Sequence, residues 1–344
     1  MTSDDFSLRE YHTSGGARVF SIPLQLFSIL QGYAYLVVDE EDDDPCFTLI
    51  DSGSGMPESN ENLLSGIRAI GELIGRSLDI ADIHRFLITH GHIDHFGGCV
   101  QLRERTSASV VIHELDLRNL TNYEERIVVV SKHLEEFLVE AGTSDALRER
   151  CLELYRITKS LGRSISVDQT YEAENYRIGR FEAFHVPGHC PGHVVLKLDD
   201  VLFSGDMVLG HISPHQAPER LTHFTGLGHY LESLARLEIV AQDVEITFAG
   251  HGSPILDLAA RIEEIREVHR KRLQQVLEIL QQPRTIAEVS QFLFGEVHGY
   301  NILLALEETG AHVEYLYQRG LLEIANLDDL ENTHQVVPIR YRRL

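Results

Sequence analysis

Residues 89–98 read THGHIDHFGG, directly after the apolar run FLI, and this stretch constrains the fold more than any other. Three histidines and an aspartate fall within six positions: His90, His92, Asp94 and His95. Histidine nitrogen and carboxylate oxygen are common protein ligands of zinc. His90 and His92 are two residues apart, so an extended backbone points both side chains the same way. The stretch therefore predicts a strand that ends in a metal-binding loop.

Three later residues are further candidate ligands, because each stands beside a glycine at a strand-to-loop junction. They are His189 in HVPGHCPGH, Asp206 in LFSGDMV and His251 in TFAGHGSP. Glycine lets the backbone turn sharply there and lets a side chain face into a cleft. A catalytic metal takes ligands from several segments and keeps an open position for water. The four segments together carry enough ligands for two ions.

The order of these motifs resembles that of the metallo-β-lactamase superfamily. HxHxDH after a strand is followed by PGHxxG, SGD and GHG, within residues 17–257. The resemblance implies an α+β fold of the αββα type, in which two mixed sheets pack face to face with helices outside. Asp206 stands where other members have cysteine, which resembles the glyoxalase II-like dinuclear branch of hydrolases.

The resemblance also implies a role for each candidate residue. It assigns the metal ligands as follows: His90, His92 and His189 to the first ion, Asp94, His95 and His251 to the second, and Asp206 as a bridge between them. Asp51, in LIDSG, matches a family aspartate that orients a ligand histidine from behind the site. In the loop 210–229, near the expected cleft, four further histidines are candidates for substrate contact: His211, His215, His223 and His229.

Hydrophobic periodicity divides the chain into two predicted domains. Residues 1–258 alternate strands with helices, and a helical pair at about residues 114–163 interrupts them as a predicted lid over the cleft. Residues 259–344 are mainly helical and resemble a small winged-helix-like domain of some family members. That segment carries 10 bases and 13 acids, whereas nucleic-acid recognition needs a basic face. We therefore expect dimerisation or capping of the cleft, rather than DNA binding, from the C-terminal domain.

The composition excludes several classes of partner. The net charge is −23, from 53 acidic and 30 basic residues, and such a protein repels a long polyanion. The four cysteines form no CxxC pair, and the acidic start lacks the apolar segment of a secretory signal. We expect a reduced, cytoplasmic protein without a membrane span and with a small-molecule substrate. The oligomeric state stays open, with a homodimer as one option.

These residues predict a dinuclear metal-dependent hydrolase. Two divalent ions, zinc by preference with iron or manganese as alternatives, would share a hydroxide that attacks the substrate. Asp94 would bind the second ion and orient the nucleophile, which makes it the expected catalytic residue. The leading substrate class is a small thioester or ester. The alternatives are a phosphodiesterase or nuclease on the same metals, and a ligand-binding regulator without turnover.

Overall fold

The structure is a computed structural model that describes residues 6–41, 44–160 and 162–344, with the backbone alone at residues 158 and 159. Across these ranges, seven strands form a first sheet in chain order: β1 (Arg9–His12), β2 (Arg18–Phe27), β3 (Leu30–Glu41), β4 (Asp44–Ile50), β5 (Arg85–Leu87), β6 (Ser109–Ile112) and β7 (Gln169–Thr170). Neighbouring strands are antiparallel from β1 to β4 and parallel from β4 to β7.

A second sheet of five strands, within the same described part of the chain, packs against the first. Its strands are β8 (Arg177–Ile178), β9 (Phe181–His185), β10 (Val194–Leu198), β11 (Val201–Gly205) and β12 (Ile246–Ala249). The strands from β8 to β11 are antiparallel neighbours in chain order, and β12 pairs in parallel with β11.

Helices flank and follow the two sheets. They are α1 (Pro57–Leu73), α2 (Ile93–Phe96), α3 (Cys99–Leu102), α4 (Leu117–Thr121), α5 (Tyr123–Glu140), α6 (Asp145–Lys159), α7 (Leu227–Val240), α8 (Leu258–Ile279), α9 (Ile286–Phe294), α10 (Asn301–Gln318) and α11 (Leu327–Glu331). Near the C-terminus, β13 (Leu322–Ile324) and β14 (Tyr341–Arg343) form an antiparallel pair.

The alternation of side chains along β3 explains the sandwich. Ala34 and Leu36 face one way and belong to the core that the first sheet shares with α1. Tyr35 and Val37 face the other way and belong to the core between the two sheets. The Tyr35 ring packs against Phe203 of β11, with ring centroids 5.4 Å apart. A strand with two buried faces needs cover on both sides, and here it has a helix on one and a sheet on the other.

The outer face of the second sheet is covered by α7 and α8. Leu202 of β11 shares a buried cluster with Leu234 of α7 and Ile262 of α8. The layers therefore follow the order helix, sheet, sheet, helix, and the predicted αββα form of an α+β fold is confirmed.

The helical insert packs on the C-terminal helices. Leu134 and Phe137 of α5 and Cys151 of α6 share one buried cluster with Val276 of α8 and Leu303 of α10. Helix α8 contributes to this cluster and also to the outer face of the second sheet, so it joins the sandwich to the helices that follow. The division of the chain at residue 258 and the role of the insert as a lid stay predictions.

Two smaller features bear on the expected environment. Cys46, Cys99, Cys151 and Cys190 are all free thiols in buried positions. Within the described residues, no helix combines the length and the apolar character that crossing a lipid bilayer requires.

Candidate metal centre

The loop of residues 88–92 and the short helix α2 carry the histidine cluster of THGHIDHFGG. The loop leaves β5 in the middle of the parallel part of the first sheet, and α2 begins directly after His92. Gly98 follows α2 and lies against the chain after β4, where a Cβ atom would stand 2.0 Å from the carbonyl oxygen of Ser52. A glycine is needed for this close approach, and it places α2 beside Asp51.

Three imidazole rings converge to form the first group of candidate ligands. Nδ1 of His92 lies 3.0 Å from Nε2 of His90 and 3.1 Å from Nε2 of His189. One ring nitrogen from each residue falls within a region 4.8 Å across. This trio combines residues from two segments 97 positions apart in the sequence. Three histidines around one point are a common catalytic zinc set with a fourth position open.

Asp94, His95 and His251 form the second group, and Asp206 lies between the two groups. Nε2 of His251 is 3.4 Å from Oδ2 of Asp94 and 3.5 Å from Oδ2 of Asp206. Nε2 of His95 is 3.4 Å from Oδ1 of Asp206. On the other side, Oδ2 of Asp206 is 3.8 Å from Nε2 of His189 in the first group. Asp206 is therefore within reach of rings from both groups, as a bridging ligand must be.

Unpartnered polar atoms test whether these residues fit metal ions. Nε2 of His95 and Oδ1 of Asp206 are buried and have no hydrogen-bond partner. Buried polar atoms almost always have hydrogen-bond partners in folded proteins, but these two atoms face each other at 3.4 Å as an ion pair without a hydrogen bond. An ion coordinated by both atoms would satisfy them. The mixture of imidazole nitrogen and carboxylate oxygen also suits divalent zinc, iron or manganese.

Asp51 organises ligands of both groups from behind. Its φ angle is +57°, an unusual value for a residue other than glycine, and it aims the carboxylate at the loop that follows β5. Oδ2 accepts hydrogen bonds from Nδ1 of His95 at 2.7 Å and from the hydroxyl of Thr89 at 2.9 Å. The Thr89 hydroxyl is also 3.0 Å from Nδ1 of His90. Asp51 thereby orients His95 directly and His90 through Thr89.

Two more candidate ligands are oriented by backbone carbonyls. Nδ1 of His189 donates to the carbonyl oxygen of His215 at 2.9 Å, and Nδ1 of His251 donates to that of Gln31 at 2.7 Å. A ring that donates from Nδ1 keeps Nε2 as its free nitrogen, which here faces the cluster. Such outer contacts fix the tautomer and orientation of metal-binding histidines.

The two groups of candidate ligands differ in their pKa values and therefore in their charges in the metal-free protein. Burial lowers the pKa of His90 and His189, so both rings are neutral. Burial also opposes charge on His251, but Asp206 and Asp94 outweigh it and raise the pKa of His251 to about 10. Burial opposes the charge of Asp94 as well, but the nearby histidines hold the pKa of this carboxyl well below its ordinary value. A cation binding the second group would therefore replace protons.

The sequence reasoning missed two residues that hold the site together. Asp116, fully buried after β6, accepts hydrogen bonds from the backbone N–H of Gly91 at 2.8 Å and of Gly192 at 3.0 Å. It thereby ties the His90–His92 loop to the loop that carries His189. His193 accepts from the N–H of Asp206 at 3.0 Å. Asp116 stands in HELD, and His193 ends the second PGH of HVPGHCPGH. Neither motif reveals the backbone groups that these side chains contact.

The four histidines considered for substrate contact occupy different surroundings. His211 is exposed and lines a cleft beside His251. The His215 ring pairs with α10, with its Nε2 2.9 Å from Glu307 and its Nδ1 3.5 Å from Glu308. His229 pairs with Glu219 at 3.1 Å, and His223 is exposed. The structure brings His211 alone of these four rings to the cleft.

A further buried group, His269, Glu308 and His312, also has ligand-type atoms within 4.8 Å of one another. Arg272 already forms an ion pair with Glu308, so a guanidinium charge stands where a cation would bind. Nδ1 of His269 forms a hydrogen bond with Nε2 of His312 at 3.1 Å. This group is a polar contact between α8 and α10.

A two-sheet sandwich with a buried cluster of histidines and aspartates at its strand ends defines a candidate metalloprotein of the αββα class. The chain belongs to the metallo-β-lactamase superfamily, whose sequence profile matches residues 28–251. The predicted class, a metal-dependent hydrolase of this superfamily, is confirmed at that level.

Named relatives extend over most of the chain. A probable metallo-hydrolase, YqjP, from Bacillus subtilis is 26% identical over 78% of this chain and 84% of its own length. A beta-lactamase-like protein 2 homolog from Drosophila melanogaster is 26% identical over 82% of both chains. An atrochrysone carboxyl ACP thioesterase from Aspergillus chevalieri is 26% identical over 72% of this chain and 64% of its own.

Solved structures share the fold along nearly the whole chain. A metallo-beta-lactamase family protein from Thermus thermophilus has a TM-score of 0.74 and 24% identity, and the match covers 95% of this chain and 98% of that one. A beta-lactamase domain protein from Burkholderia ambifaria has a TM-score of 0.70 and 25% identity, covering 97% and 94%. The similarity includes the C-terminal helices as well as the sandwich.

Proposed function

We propose that this chain hydrolyses small thioesters or esters with the help of two divalent metal ions. The observation that carries the proposal is the convergence of seven side chains in one buried cluster. Two of them, His95 and Asp206, have buried atoms without a hydrogen-bond partner, Nε2 and Oδ1. The proposed ligands are His90, His92 and His189 for the first ion, Asp94, His95 and His251 for the second, and Asp206 for both. Zinc is the proposed metal, with iron and manganese as alternatives for the same donor set.

When bound, two such ions lower the pKa of a water molecule to near neutrality and polarise the carbonyl under attack. The protein's own part is to hold and orient. Asp94 is ionised and 16% exposed at the side chain, so it can accept a hydrogen bond from the attacking water and aim it. The water oxygen adds to the carbonyl carbon, the carbon–sulfur or carbon–oxygen bond breaks, and an acid and a thiol or alcohol are released.

Three observations favour a thioester or ester over a phosphodiester. Two relatives are named as thioesterases, although this chain spans only 64% and 42% of their lengths. In addition, the cleft beside His251 is lined by apolar and uncharged polar residues together with histidine, without Lys or Arg among the described residues. Phosphate recognition ordinarily uses such cations. The net charge of −23 further opposes a long nucleic acid.

Several finer assignments belong to the same proposal. An aspartate at position 206 supports placement in the glyoxalase II-like dinuclear branch. Helices α9 and α10 followed by the antiparallel pair β13 and β14 support a winged-helix-like C-terminal domain at residues 259–344. We further propose a small-molecule substrate, a cytoplasmic location and a homodimer. The hydrolysis itself requires none of the three.

The experiment pairs metal analysis with a substrate panel. Protein purified without added metal is reconstituted with zinc, and hydrolysis of acyl thioesters is compared with that of bis(p-nitrophenyl) phosphate. We expect two ions per chain and thioester turnover that His92→Ala abolishes. His334→Ala, which alters an exposed histidine of the C-terminal segment, is the matched control and should retain activity.

The other outcomes point to the two alternatives. Turnover of the phosphodiester alone would replace the proposal by phosphodiesterase activity. Two bound ions without turnover of either class, combined with tight binding of an acyl compound, would indicate a regulator on a hydrolase scaffold.

A further inference from the structure

A cleft of about 400 Å³ opens beside the candidate ligand His251. Its walls come from three segments: residues 25–33 on the β2–β3 hairpin with Phe6, residues 209–212 after β11, and Gly252–Ser253 after His251. Clefts of this size are typical of small-molecule sites. Because His251 itself lines the cleft, a group bound there lies next to the candidate metal centre.

Two isoleucines stand exposed on the wall segments. Ile29, at the turn between β2 and β3, is 96% exposed, and Ile212 is 63% exposed. Both line the cleft, together with Tyr33 and Leu209. Large apolar side chains at the rim of a cleft contribute little to folding, but they can be covered by an apolar ligand.

The walls are fixed relative to His251. The N–H of Tyr33 donates to the carbonyl of Gly250 at 2.9 Å, and Nδ1 of His251 donates to the carbonyl of Gln31 at 2.7 Å. A Cβ at Gly32 would stand 2.7 Å from the carbonyl oxygen of Gly250, so glycine permits the hairpin to lie this close. The hairpin wall therefore cannot shift without disturbing His251.

Arg261 of α8 holds the opposite wall. Its Nε donates to the carbonyl of Leu209 at 2.7 Å, and its second guanidinium nitrogen donates to that of Ile212 at 2.9 Å. The guanidinium donates its hydrogen bonds to these backbone oxygens and is not part of the cleft lining. Both walls are thus preformed, which reduces the entropic cost of binding.

The residues that line the cleft determine which chemical groups can bind there. Among the described residues that line the cleft, none is Asp, Glu, Lys or Arg. The charge on His251 is already paired with Asp94 and Asp206, so the rest of the lining offers a charged group no ionic partner in exchange for its hydration. An uncharged apolar group gains contacts with Ile29, Ile212 and Tyr33. At about 30 Å³ for each water-sized group, the volume accommodates on the order of ten non-hydrogen atoms.

We propose that this cleft binds the acyl chain of the substrate, so that the enzyme prefers thioesters or esters of medium-length apolar acids. The assignment rests on the proposed hydrolase function. The acyl chain lies between Ile29 and Ile212, and its carbonyl carbon points toward His251 and the metal ligands. The thiol or alcohol portion leaves on the side away from the cleft.

Kinetics on a chain-length series tests the assignment. Metal-loaded protein is assayed with acetyl, hexanoyl and decanoyl thioesters of one thiol. We expect kcat/KM to rise at least tenfold from acetyl to decanoyl, since each methylene buried in an apolar pocket contributes to discrimination. The double variant Ile29→Asn/Ile212→Asn should lose this rise, so that its kcat/KM on the decanoyl substrate falls toward its own value on the acetyl substrate. Ile239→Asn, at a 71% exposed position on α7, is the matched control and should behave as wild type.

Direct binding separates this proposal from the hydrolase function. Decanoate is titrated into metal-free wild-type and double-variant protein by calorimetry. Binding that is tighter than that of hexanoate, and that the double variant loses, supports the acyl cleft even if no substrate is hydrolysed. Hydrolysis without chain-length preference, together with absent decanoate binding, overturns the acyl cleft and leaves the hydrolase function standing. A wild-type dimer that the double variant converts to monomer, with acyl preference unchanged, would instead assign this surface to a second copy of the chain.

Discussion

His189 donates a hydrogen bond from Nδ1 to the backbone carbonyl of His215 at 2.9 Å, and this contact links the candidate metal centre to the C-terminal helices. The segment around His215 is held by α10. Oε2 of Glu308 accepts from the N–H of Gln216 at 2.8 Å, and Glu307 lies 2.9 Å from Nε2 of His215. A helix that follows the sandwich in the sequence thereby orients a candidate ligand within it.

This linkage predicts that Glu308→Ala weakens metal binding. Without the carboxylate, the N–H of Gln216 loses its partner, and the carbonyl that orients His189 is held less firmly although the His215–Glu307 contact remains. We expect the affinity of the first ion to fall by about tenfold, within the range found for outer contacts of ligand histidines. Competition between the metal-free protein and a chromophoric chelator measures it.

Glu314→Ala is the matched control for that variant. Glu314 is also on α10 and also accepts backbone hydrogen bonds from the same loop, at Glu219 and Arg220. Its partners do not contact His189. Equal weakening by both substitutions would show a general loosening of α10 and contradict a specific path through His215.

Asp51→Asn should disrupt the second metal site while keeping the backbone conformation. Asparagine tolerates the positive φ at this position, so the turn can form. All three groups around the carboxylate are donors, from Thr89 N–H, Thr89 hydroxyl and His95 Nδ1. An amide NH₂ would face one of them, and His95 would lose its orientation. We expect affinity for the second ion to fall by about 10- to 100-fold, measured by zinc titration.

Asp199→Asn provides the control for the backbone argument. Asp199 also has a positive φ, +54°, but it pairs with Arg180 and the hydroxyl of Thr13. Its substitution should leave zinc binding unchanged. Weakened binding in this variant alone would contradict the role assigned to Asp51.

Asp116→Ala should destabilise the metal-free protein. The substitution leaves the buried N–H groups of Gly91 and Gly192 without an acceptor. We expect the free energy of unfolding to fall by about 3 kcal/mol, from two unsatisfied buried donors. Urea denaturation measures it. Asp168→Ala, which removes a partly exposed acceptor of the Val110 N–H, should cost clearly less, and equal losses would argue against a special role of Asp116.

The His269 ring predicts a pH dependence of stability. Burial, reinforced by the charge of Arg272, lowers the pKa of His269 to about 3. The ring faces His312 and Glu308 of α10 and Tyr230 of α7. Because the folded pKa lies below the unfolded value of about 6.5, the stability that the neutral ring contributes is fully present above that pH. It is lost as the pH falls toward the folded pKa.

His269→Gln should therefore flatten the acid limb of the stability curve. Between about pH 6 and pH 4, the free energy of unfolding should fall less steeply than in wild type, by up to about 1.4 kcal/mol per pH unit. His334→Gln, at an exposed position, should retain the wild-type slope. Parallel slopes for wild type and His269→Gln in denaturant titrations would contradict the depressed pKa.

The candidate metal centre was predictable from sequence to the extent that its residues carry their chemistry in their side chains. HxHxDH, PGH, SGD and GHG are local patterns, and the structure brings their histidines and aspartates together. The resemblance implies that Asp51 orients a ligand histidine, but the backbone contacts that orient His189 and His251 were not predictable. The carbonyl groups of Gln31 and His215 act through the backbone, where the residue type is no signal. Glu308 lies 92 positions from Gln216, so only the packing of α10 reveals their contact.

The fold was likewise predictable from sequence only in part. The alternation in β3 predicts a strand with two buried faces, and the sandwich follows from covering both. The edge strand β1 has residues of mixed exposure, REYH, without an apolar face, and the sequence gives no sign of it. The common core of the insert and the C-terminal helices also depends on contacts far apart in sequence, such as those that bring Phe137 and Leu303 into one cluster.

The number of metal ions bound per chain shows whether the two groups of side chains hold one ion each. Zinc-reconstituted wild type is analysed by elemental mass spectrometry beside His92→Ala and His251→Ala, which alter one group each. We predict two ions per chain in wild type and close to one in each variant. A wild type that binds one ion or none, or variants that both retain two, would mean that the two groups do not hold separate ions.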